Sequence, residues 1–175
     1  DISRANLEAL PAAFSLEQLE DTLRRIAEMG FPPAMSYETQ KIVHMYASSN
    51  YVMTFPSESV LSERLLFPAG PTESPGMEDA RFVRFQDDNK SVVYYATYTA
   101  FDGFQILPQL IETCDFISFR IATLAGKAAQ NKGMALFPRR VGGSYMAITR
   151  HDRENLHLIR SDDVRRWHEG AQLAL

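Results

Sequence analysis

The densest group of reactive side chains lies in the eight residues Ser74–Arg81. Glu78 and Asp79 are adjacent, and Arg81 follows two positions later. A carboxylic acid can donate a proton to a leaving group, and a carboxylate can pair with a guanidinium. Because neighbouring side chains on a strand point to opposite faces, both carboxylates enter one cleft only if the chain turns there. Two interpretations stay open: one carboxylate faces a site, or the stretch is a solvated acidic loop with an ion pair.

A second cluster is basic. It runs from Asn131 to Arg140 and includes Lys132, while Arg150 follows the next predicted strand and Arg64 lies well upstream. Cations on successive strands of one sheet can converge on a single anion, and arginine offers a planar fork to phosphate oxygens. The alternative is that these are surface charges whose apolar stems lie along the sheet.

Other kinds of site are not predicted. The four histidines lack metal-ligand spacing, and the sequence has no glycine-rich phosphate loop, so we expect neither a metal nor a cofactor. Cys114 has no nearby cation to activate its thiol and is predicted to be buried and inert. Tyr94, Tyr95 and Tyr98 have faces that can stack on a sugar ring, although aromatic residues in a strand usually belong to the core.

Composition excludes several classes of protein. The 175 residues are 45% hydrophobic and 23% charged, with a net charge of −4, which is typical of globular proteins rather than disordered or collagen-like ones. The sequence contains no block of like charges and no apolar run of about 20 residues, so we expect neither nucleic acid nor a membrane as partner. A single cysteine favours a reducing compartment, the cytoplasm. Since the first residue is Asp1 rather than Met, we expect the chain to be part of a longer protein.

The first third of the chain is predicted to be helical. Ser15 and Gln18 form a capping-box pattern ahead of leucines at helical spacing, which predicts a helix over Leu16–Met29 that stops at Gly30 and the prolines after it. A second helix is predicted over Tyr37–Ala47, with Ser36 as its cap.

From Asn50 onward, short β-type runs alternate with turn residues. Two hairpins are predicted, one joining 82–85 to 92–99 and the other joining 134–138 to 145–149. Strands are also predicted over 116–124 and 156–159, and a closing turn at Ser161–Asp163.

A faint repeat links the two hairpins. Tyr95, Thr99 and Asp102 recur 50 residues later as Tyr145, Thr149 and Asp152. A period near 50 with about four short strands per repeat is typical of β-propeller blades. Because propellers have about four to eight blades, the chain is predicted to hold about two of them.

Linked motifs in a fixed order point to a family. They are Gly76–Arg81 (GMEDAR), Tyr95–Gly103 (YATYTAFDG), Lys132–Pro138 (KGMALFP), and Gly143–Tyr145 with Arg150. In order and spacing they resemble glycoside hydrolase family 130, and the match covers roughly 62–167. That family consists of mannoside phosphorylases and some β-mannosidases on a five-bladed β-propeller. The resemblance implies a mainly β fold with a helical N-terminal extension, 1–49, and a partial catalytic propeller of two to three blades, 50–175.

The resemblance also implies roles for individual residues. Asp79 matches the general acid, which in the family is thought to protonate the glycosidic oxygen through the 3-hydroxyl of the mannosyl unit. The family's phosphorylases commonly carry His-Lys where this chain has Asn131-Lys132, so one phosphate contact is not carried over. The matches to phosphate-binding cations are Lys132, Arg150 and Arg64, and the residues expected at the sugar are Glu78, Arg81, Tyr98 and Asp102.

Three functions follow as expectations. Inverting hydrolysis needs an acid and a carboxylate base about 6.5–9.5 Å apart, whereas phosphorolysis needs only the acid, because phosphate is itself the nucleophile. The first expectation is therefore a phosphorylase that releases mannose 1-phosphate from a β-mannoside oligosaccharide. The alternatives are a β-mannosidase of the same fold and a non-catalytic carbohydrate-binding module. The expected partners are the oligosaccharide, phosphate, and the remaining blades, from the same protein or a homo-oligomer.

Overall fold

The computed structural model describes residues 15–28, 33–168 and 170–173, and the chain divides after Ser48 into two compact units. The first unit contains α1 (Leu16–Ala27) and α2 (Pro33–Ser48). The predicted capping box of α1 is confirmed. The backbone N–H of Ser15 donates to Gln18 Oε1 at 2.8 Å, and the N–H of Gln18 donates to Ser15 Oγ at 3.2 Å.

The second helix begins earlier than predicted. It starts at Pro33 rather than Tyr37, so Ser36 lies inside α2 and its assignment as the cap is wrong. The fixed φ of proline suits the first helical position, where a backbone N–H would be left unbonded anyway. The first helix ends at Ala27, two residues before the predicted end at Met29, and the predicted stop at Gly30 and Pro32 lies outside the described residues. Neither described helix is long and apolar enough to cross a membrane.

The second unit is mainly β, as predicted, and consists of two antiparallel sheets. The first has the strand order β1-β5-β4-β3-β2, and the second has the order β6-β7-β8-β9. The strands are β1 (Tyr51–Thr54), β2 (Gly76–Gln86), β3 (Val92–Phe101), β4 (Ile106–Thr113), β5 (Ser118–Thr123), β6 (Ala135–Leu136), β7 (Tyr145–Thr149), β8 (His157–Ser161) and β9 (Gly170–Gln172).

Both predicted hairpins form, β2 with β3 and β6 with β7. The strands predicted over 116–124 and 156–159 correspond to β5 and β8. One boundary is wrong in a way that matters. The sequence predicts a strand over 82–85, after the acidic cluster, but β2 already begins at Gly76, so Glu78 and Asp79 are strand residues.

The central strand β4 was not predicted, and it contains Pro108. Proline lacks the N–H that a central strand needs for its ladder. Here the Pro108 carbonyl accepts from the Leu124 N–H at 3.0 Å, while the paired register of β5 with β4 ends at Thr123. The nitrogen of Pro108 points to the same side as its carbonyl, toward Leu124, so the one bond that proline cannot donate falls at the end of the β4–β5 pairing and not within it.

The core of this unit is split by the first sheet. One face of that sheet packs against the second sheet through Phe85, Tyr95 and Leu110, which meet Tyr145 and Trp167. The other face forms a separate apolar cluster that contains Ala96, Tyr98, Ala100, Ile111, Phe119 and Ile121. Strand β3 is therefore covered on both faces, and its alternate residues belong to different clusters.

The 50-residue repeat has a structural counterpart. β3 and β7 are each the second strand of a four-strand meander. Asp102 Oδ1, just after β3, accepts from the N–H groups of Phe104 and Gln105 at 2.7 and 2.6 Å. Asp152 Oδ1, just after β7, accepts from Glu154 and Asn155 at 3.0 and 2.9 Å. The same aspartate-stabilised turn thus ends the same strand in both sheets.

Candidate functional site

A β-bulge places Asp79. The register pairs Glu78 with Thr99 and Arg81 with Thr97, so Asp79 and Ala80 together face a single residue, Tyr98. Asp79 has a φ of 56°, in the left-handed region that aspartate tolerates better than most residues. The bulge is the turn that the sequence required, because it lets Glu78 and Asp79 line one cavity.

The Asp79 carboxylate is held by Arg81. Arg81 Nε donates to Oδ1 at 3.0 Å and Nη2 donates to Oδ2 at 3.1 Å, a bidentate pair. The side chains are 35% and 45% exposed, so water screens the pair and its contribution to stability is small. The ion pair allowed by one interpretation of the sequence is therefore present, and both carboxylate oxygens are engaged.

The loop before β6 brings a lysine to the same place. Lys132 Nζ donates to Glu78 Oε1 at 3.1 Å. Thr97 Oγ1 on β3 donates to the Met134 carbonyl at 2.5 Å, which fixes the loop across the sheet. Gly133 lies between these two anchors and has a φ of 87°, a backbone conformation that residues other than glycine rarely adopt.

Arg150, at the end of β7, completes the cluster. Its Nε and the Nη2 of Arg81 each lie 3.9 Å from the position that a Cβ would take on Gly133. Arg81, Lys132 and Arg150 therefore gather around one glycine, opposite the carboxylates Glu78 and Asp79. The formal charge of these five side chains is +1, so the cluster can attract an anion.

Two cavities meet at Asp79 and Tyr98. The smaller is a cleft of about 10 Å³, room for roughly one water, lined by Thr97, Thr99, Lys132 and Gly133 among others. A phosphate ion does not fit inside it, so an anion must bind on its open side or displace Lys132 from Glu78.

The larger cavity has a volume of about 590 Å³, within the range of small-molecule sites. Asp79, Glu78 and Arg64 supply its charged groups, and most of its wall is apolar. The apolar lining consists of Leu61, Leu65, Leu66, Met77, Ala80, Phe82, Ile111, Phe116 and Phe119.

Two predicted site residues lie apart from the basic cluster. Arg64 lines the larger cavity, and its guanidinium donates to Ser59 Oγ at 3.0 Å, to the Phe116 carbonyl at 2.8 Å, and to the Ser59 carbonyl. Asp102 lies in the turn after β3, where its carboxylate binds backbone amides, and it lines neither cavity. Whether either binds a ligand stays a prediction.

Tyr98 is buried and reaches a carboxylate that sequence reasoning missed. Its hydroxyl donates to Glu73 Oε2 at 2.6 Å, and the Tyr51 hydroxyl donates to Glu73 Oε1. Burial raises the pKa of Tyr98 far above its usual value, and the bond to Glu73 raises this pKa further. The sequence Gly70-Pro71-Thr72-Glu73 indicates a short helical turn that contains Glu73. Nothing in the sequence indicates that the Glu73 side chain is buried.

The side of the cluster that carries Arg150 is also fixed. Asn131 Nδ2 donates to the His151 carbonyl, and Arg153 Nε donates to Asn131 Oδ1 at 3.0 Å. Asn131 thus joins the loop before β6 to the turn after β7. The His157 ring lies at a tilt beside the His151 ring, with 4.2 Å between the ring centroids. Its Nε2 lies 3.0 Å from Asp152 Oδ2, and this hydrogen bond holds the pKa of Asp152 well below its usual value.

Cys114 is exposed, so the prediction that it is buried is wrong. It follows the last residue of β4, where the chain turns outward. Within the described ranges, no group of three or more His, Cys, Asp or Glu side chains could hold a metal ion.

No protein-family model matches the chain, and no curated protein matches it. Among solved structures, the chain is similar to β-1,2-mannobiose phosphorylase from Listeria innocua in its complex with β-1,2-mannobiose. The identity is 24%, the match covers 62% of this chain, and the TM-score is 0.49. The matched part spans 30% of that protein's chain.

Proposed function

We propose that this chain carries part of the active site of an inverting glycoside phosphorylase that acts on a β-mannoside. Asp79 is the general acid, and Lys132 and Arg150 hold inorganic phosphate. The observation that carries the proposal is the convergence of these three residues, from β2, the loop before β6 and the end of β7, around Gly133.

The chemistry is a single displacement. A phosphate oxygen attacks the anomeric carbon of the mannosyl unit and forms the new C–O bond while the glycosidic C–O bond breaks. The Asp79 carboxylic acid supplies the proton that the leaving oxygen takes up, directly or through the sugar 3-hydroxyl. The products are α-mannose 1-phosphate and the shortened saccharide, and no cofactor is needed.

The two cavities suit this reaction. Asp79 borders both of them, so an anion near Gly133 and a sugar in the larger cavity would meet beside one carboxyl group. Asp79 must release Arg81 to act as an acid, because both of its oxygens accept from that guanidinium. Phosphate or substrate binding near Arg81 provides the competing charge that would open the pair.

The rest of the protein belongs to the same proposal. We infer that the two meanders are blades of a five-bladed β-propeller and that the remaining blades come from the same protein or a second copy. The repeated turn after β3 and β7 supports equivalent blades. The proposal also places the protein in the cytoplasm, where phosphate is abundant.

A β-mannosidase is the second candidate, and Glu78 is the observation that favours it. Glu78 lines the same cavity as Asp79, which gives the site a second carboxylate. It also pairs with Lys132, the residue that would bind phosphate in a phosphorylase. In an inverting hydrolase, a carboxylate base activates water on the face opposite the leaving group.

The first prediction is that Asp79→Asn removes turnover while the fold is kept. General acids contribute roughly 10²- to 10⁴-fold, and loss of the exposed ion pair with Arg81 costs at most about 1 kcal/mol. Products of the intact protein are measured with and without phosphate. Mannose 1-phosphate identifies the phosphorylase, and free mannose formed without phosphate identifies the hydrolase.

The matched control is Asp88→Asn, which changes an exposed aspartate in the turn between β2 and β3 and is expected to keep full activity. More than a tenth of the rate remaining in Asp79→Asn contradicts the role of Asp79. Sugar binding without turnover by the wild-type protein identifies the non-catalytic module instead.

A further inference from the structure

Glu73 is a buried carboxylate that the proposed reaction does not use. It ends the short 3₁₀ turn Pro71–Glu73 and is 1% exposed. Glutamate is almost never fully buried unless its charge is compensated. A buried carboxyl group without partners costs several kcal/mol, so its surroundings must explain why it is there.

Four donors surround this carboxylate. Oε1 accepts from the backbone N–H groups of Ala69 and Gly70 at 3.0 and 3.1 Å and from the Tyr51 hydroxyl, and Oε2 accepts from the Tyr98 hydroxyl. In the part of the chain that the structure describes, no cation pairs with Glu73. One side chain therefore ties together the start of β1, the turn before β2, and the middle of β3.

Tyr98 links this network to the site. It is the residue that faces the bulge at Asp79, and it lines both cavities. Its hydroxyl donates to Glu73, and its burial keeps that hydroxyl protonated. The position of the Tyr98 side chain, and with it the wall beneath Asp79, depends on the oxygen that receives this hydrogen bond.

We propose that Glu73 is a positioning residue that acts through Tyr98 to hold the Asp79 bulge in its productive geometry. The inference rests on the proposed function, since it concerns the same acid. Satisfied buried networks of this kind rigidify the elements that they join. A displacement of about 1 Å at a catalytic group can lower the rate roughly a hundredfold. Loss of the network that positions Asp79 is therefore expected to lower the rate of the reaction.

The test is a double-mutant cycle of Glu73→Gln and Tyr98→Phe, assayed in the intact protein for kcat, for KM and for the free energy of unfolding. Glutamine keeps the volume, but its amide has one acceptor oxygen instead of two, so it cannot serve all four donors. We expect each variant to lower kcat about 10- to 100-fold with the KM for phosphate unchanged. The double variant should lose little more than either single variant, because both remove one interaction.

Tyr51→Phe is the matched control. It removes the same kind of bond from the same carboxylate, but Tyr51 lines neither cavity. We expect a comparable loss of stability with kcat within about threefold of wild type. Equal losses of kcat in Tyr51→Phe and Tyr98→Phe would show that Glu73 has only a structural role and would overturn the proposal.

The outcomes separate this inference from the proposed function. A wild-type protein without turnover refutes the proposed function itself. Wild-type turnover combined with unchanged kcat in Glu73→Gln refutes only the positioning role. If Glu73→Gln does not fold, the comparison of Tyr98→Phe with Tyr51→Phe decides the question by itself.

Discussion

Arg150 differs from the other cations of the cluster in its freedom to bind a ligand. Arg81 is paired with Asp79, and Lys132 is paired with Glu78. Arg150 is exposed, and across residues 15–28, 33–168 and 170–173 its guanidinium makes no hydrogen bond or ion pair. A guanidinium with all its donors available binds an anion without first breaking an internal contact, whereas Lys132 must leave Glu78.

The two cations should therefore differ in their effect on phosphate. We expect Arg150→Ala to weaken phosphate binding about 10- to 100-fold, since hydrogen bonds to charged groups contribute roughly 1.5–3 kcal/mol. Lys132→Ala should weaken it less, because the wild-type lysine first gives up its carboxylate partner. Titration calorimetry with inorganic phosphate measures both without requiring turnover.

Lys90→Ala, in the turn between β2 and β3, removes a cation of the same charge away from the cluster and is expected to change nothing. If Lys90→Ala and Arg150→Ala weaken phosphate binding equally, the binding reflects net charge alone and the assignment of Arg150 fails.

Among the elements, the segment after β5 shows how the two sheets are joined. Gly126 has a φ of 106°, and a Cβ there would lie 2.1 Å from the Trp167 carbonyl oxygen. The Trp167 N–H donates to the Ala125 carbonyl at 2.7 Å, and the Trp167 carbonyl accepts from Ala128 at 3.0 Å. The backbone of this segment thus lies directly on the backbone that follows β8, and Trp167 is fully buried between the sheets.

We expect Gly126→Ala to destabilise the protein by at least about 3 kcal/mol, because backbone atoms that touch must separate. Gly142→Ala is the control. Gly142 also has a positive φ, but its Cβ would meet nothing within 4 Å, so only backbone strain of about 1–2 kcal/mol applies. Urea unfolding followed by the fluorescence of Trp167 measures the difference, and equal losses would contradict the crowding argument.

Sequence reasoning found elements where local patterns decide them. The capping box at Ser15 and the hairpins of β3 and β7 follow from spacing and turn residues. It missed β4 because a proline is not expected in a central strand. Pro108 is tolerated in β4 only because the pairing with β5 ends beside it, at Thr123. It misplaced the start of β2 because a bulge forms only against the partner strand, and the residues of β2 alone do not reveal it.

The candidate site follows the same division. Residue type and order singled out Asp79, Arg81, Lys132 and Arg150, which the fold gathers around Gly133. Sequence reasoning also predicted that the carboxylates need a turn to share a cleft. Glu73 was missed because its importance comes from burial and from Tyr51 and Tyr98, which are distant in sequence.

At the scale of the whole molecule, buried tyrosines link stability to alkaline pH. Burial is the main cause that raises the pKa values of Tyr95 and Tyr98 well above the usual value near 10. Above about pH 10 the unfolded chain loses these protons, whereas the folded chain keeps them. The unfolded state then binds fewer protons, so the free energy of unfolding falls as pH rises.

The expected slope is up to about 1.4 kcal/mol per pH unit for each of these tyrosines. Trp167 is the single tryptophan of the sequence and lies in the core between the sheets, so its fluorescence reports unfolding of this unit. Tyr98→Phe should lower stability at neutral pH but make the alkaline slope shallower. A free energy of unfolding that stays constant from pH 9 to pH 11 would contradict the prediction.

The pairing of β1 with β5 has a consequence for chain entropy. Thr54 and Ser118 are 64 positions apart, whereas all the other strand pairs in the two described sheets join consecutive strands. Loop-closure entropy grows only with the logarithm of length, so this closure costs about 2 kcal/mol more than closing a five-residue hairpin loop. That is the net contribution of about two backbone hydrogen bonds. A four-residue strand therefore suffices to bring the chain back to its own sheet, and doubling the segment between the two strands would add only about 0.6 kcal/mol.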